Sequence, residues 1–160
     1  MEIATVGVYG FSAESFLRTL RDADVRHVFD VRQRRGVRGP EYAWANSQRL
    51  QAALADAEIG YSHAKELAPT TELRHVQYAE DARQGVGKRS RAVLAPEYVE
   101  RYTREILDQA DLDSLLVSRL PPSGRGALMC VERDPEACHR SLVAARLASD
   151  YGAVVVNLRP

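Results

Sequence analysis

The sequence predicts a single α/β domain: a three-layer sandwich with a mostly parallel sheet and helices on both faces. Three observations predict it. Short β-branched runs alternate with apolar stripes at helical spacing along the whole chain, the order expected of βαβ units. Helix-starting and helix-stopping residues punctuate the boundaries between them. The 160 residues, 45 % hydrophobic and 28 % charged, suit one globular domain and exclude disordered, fibrous or coiled-coil chains. No internal repeat and no linker divides residues 1–160.

Ile3 to Val8 reads as a first strand, with Gly7 near its end and Gly10 just past it. Ser12 is a helix N-cap, although Ser15 stands where a capping box would carry an acid or glutamine. Phe16, Leu17, Leu20 and Ala23 then follow at helical spacing. Val25 to Val31 is a second strand ending in Asp30 and Arg32. Ser47 to Ala57 places Leu50, Ala53, Leu54 and Ala57 on one helical face, and Ile59 to His63 is a short third strand. Ala68 to Ala95 has weak periodicity and reads as loop with a short helix. Pro96 opens a helix striped by Tyr98, Val99, Tyr102, Ile106 and Leu107. A helical pattern continues through Leu115, Leu116, Val117 and Leu120 until Pro121-Pro122 stops it. Gly126 to Val131 is an apolar strand. A helix capped by Asp134 and opened by Pro135 runs to Tyr151, where Gly152 ends it, and Val154 to Val156 is the last strand. The arrangement is Rossmann-like.

Lys plus Arg balances Asp plus Glu at 22 each, which argues against a protein coated in positive charge but allows a local basic patch. Two cysteines fit a reducing cytosol. With no charged leader before an apolar run and no stretch near the ~18 apolar residues of a span, a soluble cytoplasmic protein without a membrane partner is expected. The oligomeric state is not readable.

Ligands of open α/β sheets bind beyond the carboxyl ends of the strands, and reactive residue types gather there in this chain. The first strand delivers Gly7, Tyr9 and Gly10. The second delivers Asp30 and Arg32, then Arg34, Arg35 and Arg38, making four arginines in seven residues with no acid among them. Their planar forks match phosphate or carboxylate oxygens, and Tyr42 and Trp44 offer stacking surfaces. The alternative is a solvated loop paired with acids such as Glu97, Glu100 and Glu105. The second basic run, Lys88 to Arg91, is a weaker candidate for the same surface and reads more simply as solvated. Asp30 and Arg32 lie on the same side of their strand and orient each other; Asp30 is either a catalytic carboxylate or a structural acceptor for backbone N–H groups of the next loop.

The penultimate strand delivers Cys130 and Glu132, followed by Cys138, His139 and Arg140. In a helix starting at Pro135, Cys138 lies one turn in, either as a packed core thiol or as a reactive one. His139 suits proton transfer near neutral pH or a structural hydrogen bond. Arg140 adds positive charge to a helix start that already attracts anions. A zinc site from Cys130, Glu132, Cys138 and His139 is disfavoured, because adjacent helical residues point ~100° apart. No metal and no other cofactor is therefore expected. A Cys130–Cys138 disulfide stays open at this point.

Several of these segments together resemble the DUF488 family of small prokaryotic proteins of unknown function. They are the first strand and its glycine, Phe29-Asp30-Val31-Arg32 with the arginine-rich loop, Ala127 to Glu132, and Cys138-His139-Arg140-Ser141-Leu142. Lys65 to Thr70 looks like a subgroup version of the family's middle loop, and Gly7-Val8-Tyr9 stands where relatives often carry Gly-His-Ser. The resemblance implies an α/β fold and a shared pocket at Gly7, Asp30, Arg32, Cys130, Glu132, Cys138, His139 and Arg140. It implies no established reaction.

Three functions follow. The first is an enzyme acting on a phosphate-bearing ligand, such as a nucleotide or nucleic acid, with arginines holding the anion and Glu132 or His139 as acid or base. The second is a nucleic-acid-binding module without chemistry. The third is a thiol enzyme resembling rhodanese-type sulfur carriers, although the compact loop from cysteine to arginine that such enzymes use is missing.

Overall fold

A computed structural model describes residues 1–160. Five strands, β1 (Glu2–Val6), β2 (Val25–Asp30), β3 (Gly60–His63), β4 (Arg125–Met129) and β5 (Val154–Leu158), form one sheet in the order β3-β2-β4-β1-β5, and every neighbouring pair is parallel. The expected three-layer α/β sandwich is the fold. The sheet is wholly rather than mostly parallel.

The helices are α1 (Ala13–Asp22), α2 (Ser47–Asp56), α3 (Thr71–Gln84), α4 (Pro96–Glu105), α5 (Leu112–Leu115) and α6 (Arg140–Tyr151). Moving from β1 to β2 to β3 shifts the chain toward one edge, and the return through β4 to β5 shifts it toward the other. Right-handed crossovers put the helices of opposite shifts on opposite faces. The two cores obey this. Phe16, Leu20, Leu50 and Leu54 of α1 and α2 pack with Val28, Ala127 and Met129. Leu73, Tyr98, Tyr102 and Val143 of α3, α4 and α6 pack with Phe29, Leu128 and Cys130. Alternation along β2 and β4 therefore aims Cys130 at the second layer.

Several elements differ from the sequence expectation. Ser15 completes the α1 capping box, since its hydroxyl accepts from the Ser12 N–H as the Ser12 hydroxyl accepts from Ser15. The weakly periodic region holds a 14-residue helix, α3, whose inward stripe is Leu73, Gln77 and Asp81. The stretch after Pro96 breaks into α4, α5 and two 3-10 turns instead of long helices. Most consequential is the last helix. Pro135–Ala137 is only a 3-10 turn, Cys138 is extended (φ −141°, ψ 143°), and α6 starts at Arg140. No helix is long and apolar enough to cross a membrane.

Candidate functional site

Neighbouring strands β2 and β4 send their connections to opposite faces, which opens a crevice beyond their carboxyl ends. The chain fills this crevice from both sides. Val31 donates its N–H to the Met129 carbonyl, and the N–H groups of Val8 and Tyr9 both reach the Val131 carbonyl. Gly7 serves that closeness: a Cβ there would overlap the Glu132 carbonyl oxygen. Expected as part of a ligand pocket, Gly7 instead seats one loop against another and does not line the cavity.

Two further expected anion ligands are consumed inside the protein. Arg32 is 1 % exposed: Nε and Nη2 donate to the two carboxylate oxygens of Asp30 at 2.9 and 2.8 Å, and Nη1 donates to the Ala45 carbonyl at 2.9 Å. Asp30 also accepts from the Arg32 N–H at 3.1 Å and from the Tyr61 hydroxyl at 2.7 Å. Side-chain pairing and loop-capping coexist here. Arg140 is 0 % exposed and donates to the carbonyls of Glu132 and Arg133 at 2.6 and 3.1 Å, tying α6 to the end of β4. It has no surface to offer a ligand. Arg35 turns toward the Tyr61 hydroxyl at 3.4 Å and stands outside the cavity.

The cavity itself has a volume of about 680 Å³. Its floor is Cys130, Glu132, Cys138 and His139; its walls include Tyr9, Arg34 and Arg38 together with residues that sequence reasoning passed over or ranked below the first basic run. Those are Arg74 from α3 and the whole second basic run, Lys88, Arg89, Ser90 and Arg91. Glu132 is the only acid in the lining, against seven Lys or Arg side chains, counting the sequestered Arg32. Four of the seven, Arg34, Arg38, Arg74 and Lys88, form no ion pair within the chain. The cavity is cationic because its one carboxylate does not balance so many basic side chains.

Residues 85–95 form a strap over this cavity. Gly85 ends α3 in the left-handed region (φ 68°), and the chain then doubles back. Arg91, buried, holds Asp81 with Nε and Nη2 and reaches Glu132 Oε1 at 3.4 Å and the Ala137 carbonyl at 3.1 Å. Gln77 accepts from the Ala95 N–H at 2.8 Å and donates to Asp81 at 2.9 Å. Arg89 lies over the rings of Tyr9 and Tyr42, 4.9 and 5.4 Å from their centroids, and pairs with Glu41. The solvated reading holds for Arg89 and Ser90, which are exposed, but not for Arg91, which is buried against the polar inner stripe of α3.

At the floor, His139 donates from Nε2 to the Val31 carbonyl at 2.8 Å when its ring is neutral, so Nδ1 is left as an acceptor. Cys130 Sγ and Cys138 Sγ lie 3.9 and 3.8 Å from that Nδ1. Burial raises the Cys138 thiol, but the Cys130 thiol, Arg140 and His139 together pull it well below the ordinary range. Cys130 moves the other way, pushed up by its hydrogen bond with Cys138 and by burial. Burial, seconded by Cys138, raises Glu132, whose Oε2 has no partner. Burial would lower His139, and the Cys138 sulfur outweighs it. Lys88 behaves likewise: burial lowers it, but Glu132, Cys130, Tyr78 and Tyr9 together outweigh burial and raise it.

Cys138 and His139 are not successive residues of one helix. Because Cys138 is extended and precedes α6, it and His139 converge rather than diverge, and with Cys130 their donor atoms all lie within 4.8 Å of one another. Such a trio can generate a thiolate beside an imidazole, or grip a metal ion from three sides.

The family described as a domain of unknown function, DUF488, matches residues 12–147. No curated protein and no solved structure matches the chain.

Proposed function

The chain belongs to the DUF488 family, and since that family brings no assigned reaction, we propose one class of function from the cavity: an enzyme that binds a phosphate-bearing ligand of nucleotide size and acts on it with the groups of the cavity floor. One observation carries this reading. Four unpaired cations, Arg34, Arg38, Arg74 and Lys88, surround a concavity whose lining holds a single acid. Unpaired guanidinium and ammonium groups facing one small volume repel each other, and an anion with several oxygens relieves that repulsion. A volume of about 680 Å³ falls in the range of small-molecule sites and suits one nucleotide rather than a duplex.

Tyr9, held under Arg89, supplies an aromatic edge for a base or sugar. Glu132, on the cavity floor, is the acid or base offered to a bound ligand. Calorimetric titration with inorganic phosphate and with nucleoside mono- and diphosphates tests the reading. Binding is expected, and the double change Arg34→Ala, Arg38→Ala weakens it at least tenfold, about 1.4 kcal/mol, with little effect on melting temperature because both side chains are unpaired. Equal binding by the parent and the double variant would overturn it. Changing Arg32 or Arg140 instead would report on folding, since neither reaches the ligand.

A further inference from the structure

We infer that Cys130, Cys138 and His139 form a zinc site with three protein ligands and a fourth position open to the cavity. The inference stands on donor geometry and does not depend on what the cavity binds.

Around a tetrahedral zinc ion, with Zn–S near ~2.3 Å and Zn–N near ~2.0 Å, sulfur and nitrogen donors sit roughly 3.6 Å apart and two sulfurs roughly 3.8 Å apart. Here the two Sγ–Nδ1 distances are 3.9 and 3.8 Å, and the two sulfurs are within 4.8 Å. Side-chain rotations of a few tenths of an ångström to about 1 Å complete the fit. Two sulfurs and one imidazole are a donor set that selects zinc over magnesium or calcium.

A second observation is independent of these distances. Ligating histidines usually give their other N–H to a carbonyl, which fixes the tautomer and aims the free nitrogen at the metal. His139 does this with Val31 at 2.8 Å. The ring is held further by Tyr102, 5.4 Å away between centroids. Two thiolates, a neutral imidazole and a divalent ion sum to no net charge, so the burial of all three side chains is explained without an uncompensated ion.

The third observation concerns the open side. All three donors line the cavity, so the position opposite them faces the ligand space. Glu132 lines the same floor with its side chain 9 % exposed and its Oε2 buried without a hydrogen-bond partner. A water in the fourth position would give that oxygen a donor. Three protein ligands plus an exchangeable fourth is the pattern of catalytic rather than structural zinc.

The test uses the full-length chain, purified reduced with a phosphine and without chelators, then titrated with Zn²⁺ and with Co²⁺ alone. One equivalent of either ion is expected to bind. The cobalt form should show near-ultraviolet thiolate charge-transfer absorption together with visible bands of tetrahedral cobalt. Cys130→Ser and Cys138→Ser should each remove roughly half of the charge-transfer intensity, and the double variant all of it. Should a variant fail to fold, judged by far-ultraviolet circular dichroism, the cobalt spectrum of the unaltered chain decides alone. Absence of stoichiometric binding by the folded, reduced chain overturns the site, as does charge-transfer absorption that survives in a folded double variant. Phosphate titration of the same zinc-free sample separates the two readings. Metal bound without phosphate leaves the zinc site and removes the ligand reading, and the converse removes only the zinc site.

Discussion

Asp30 and Arg32 show how burial decides what a charged pair does. Adjacent on the same side of a strand end, they have the residue types of an anion site, but the Arg32 guanidinium spends its donors on Asp30 and the Ala45 carbonyl. Removing one member of a buried pair leaves the other charged and unsolvated, which costs about 3–5 kcal/mol. Asp30→Ala is therefore expected to lose that much stability in urea titration while leaving phosphate affinity unchanged below its unfolding transition. A large loss of affinity with unchanged stability would return Arg32 to the ligand site. Arg140 follows the same logic, its fork closed on two carbonyls of the β4 loop. The residue types at the floor were legible, and so was their clustering at strand ends. What spacing could not show was the extended Cys138 conformation, because Asp134-Pro135 also fits a helix start. Backbone bonds of Ala137 and Cys138 to Asp134 and Pro135 close a 3-10 turn there instead.

At the scale of elements, α3 explains both what the sequence revealed and what it concealed. Apolar strands and the stripes of α1, α2 and α4 announce themselves because their buried residues are hydrophobic. The inner stripe of α3 has the helical spacing i, i+4, i+8, but two of its three members, Gln77 and Asp81, are polar. A search for apolar periodicity passes over it. Those polar residues are buried where they hold the strap, and the strap brings Lys88, Arg89 and Arg91 to the cavity, so a helix read as short left these cations ranked below the first basic run. Asp81 makes this device sensitive to acid. Burial alone would raise its carboxyl, but the hydrogen bonds from Arg91 and Gln77 outweigh it and hold the folded-state pKa below the ordinary value. A depressed carboxylate contributes stability above its unfolded pKa of about 3.9, and that contribution is lost as pH falls through the folded value. Hydrogen exchange across residues 85–95 should accelerate below about pH 4, ahead of the sheet. Asp81→Asn should produce the same acceleration already at pH 7. Strap exchange indifferent to both would mean that the Arg91 pair does not anchor it.

For the whole molecule, charge is placed rather than accumulated. The chain is neutral, with 22 basic and 22 acidic side chains, yet the cavity lining holds seven of the former and one of the latter. The acids left over sit elsewhere, as on α4, where Glu100 and Glu105 engage Arg104 and Arg101. The chain carries no net charge, and exposed charges further apart than a Debye length, about 8 Å at physiological salt, are largely screened from one another. A small-ligand site and a nucleic-acid surface differ in how their binding responds to salt. A protein tracking a nucleic acid neutralises more phosphates as the strand lengthens, and the slope of log affinity against log salt steepens by about 0.7 per added single-strand contact. On the proposed reading, a cavity of about 680 Å³ takes one nucleotide, or one strand end, whatever the strand length. Titrating a mononucleotide and oligonucleotides of increasing length over a salt series should give slopes that stop growing once the terminal phosphates are engaged. A slope that keeps rising with length would place the binding outside the cavity, on an open basic face, and would favour a module that holds nucleic acid without acting on it.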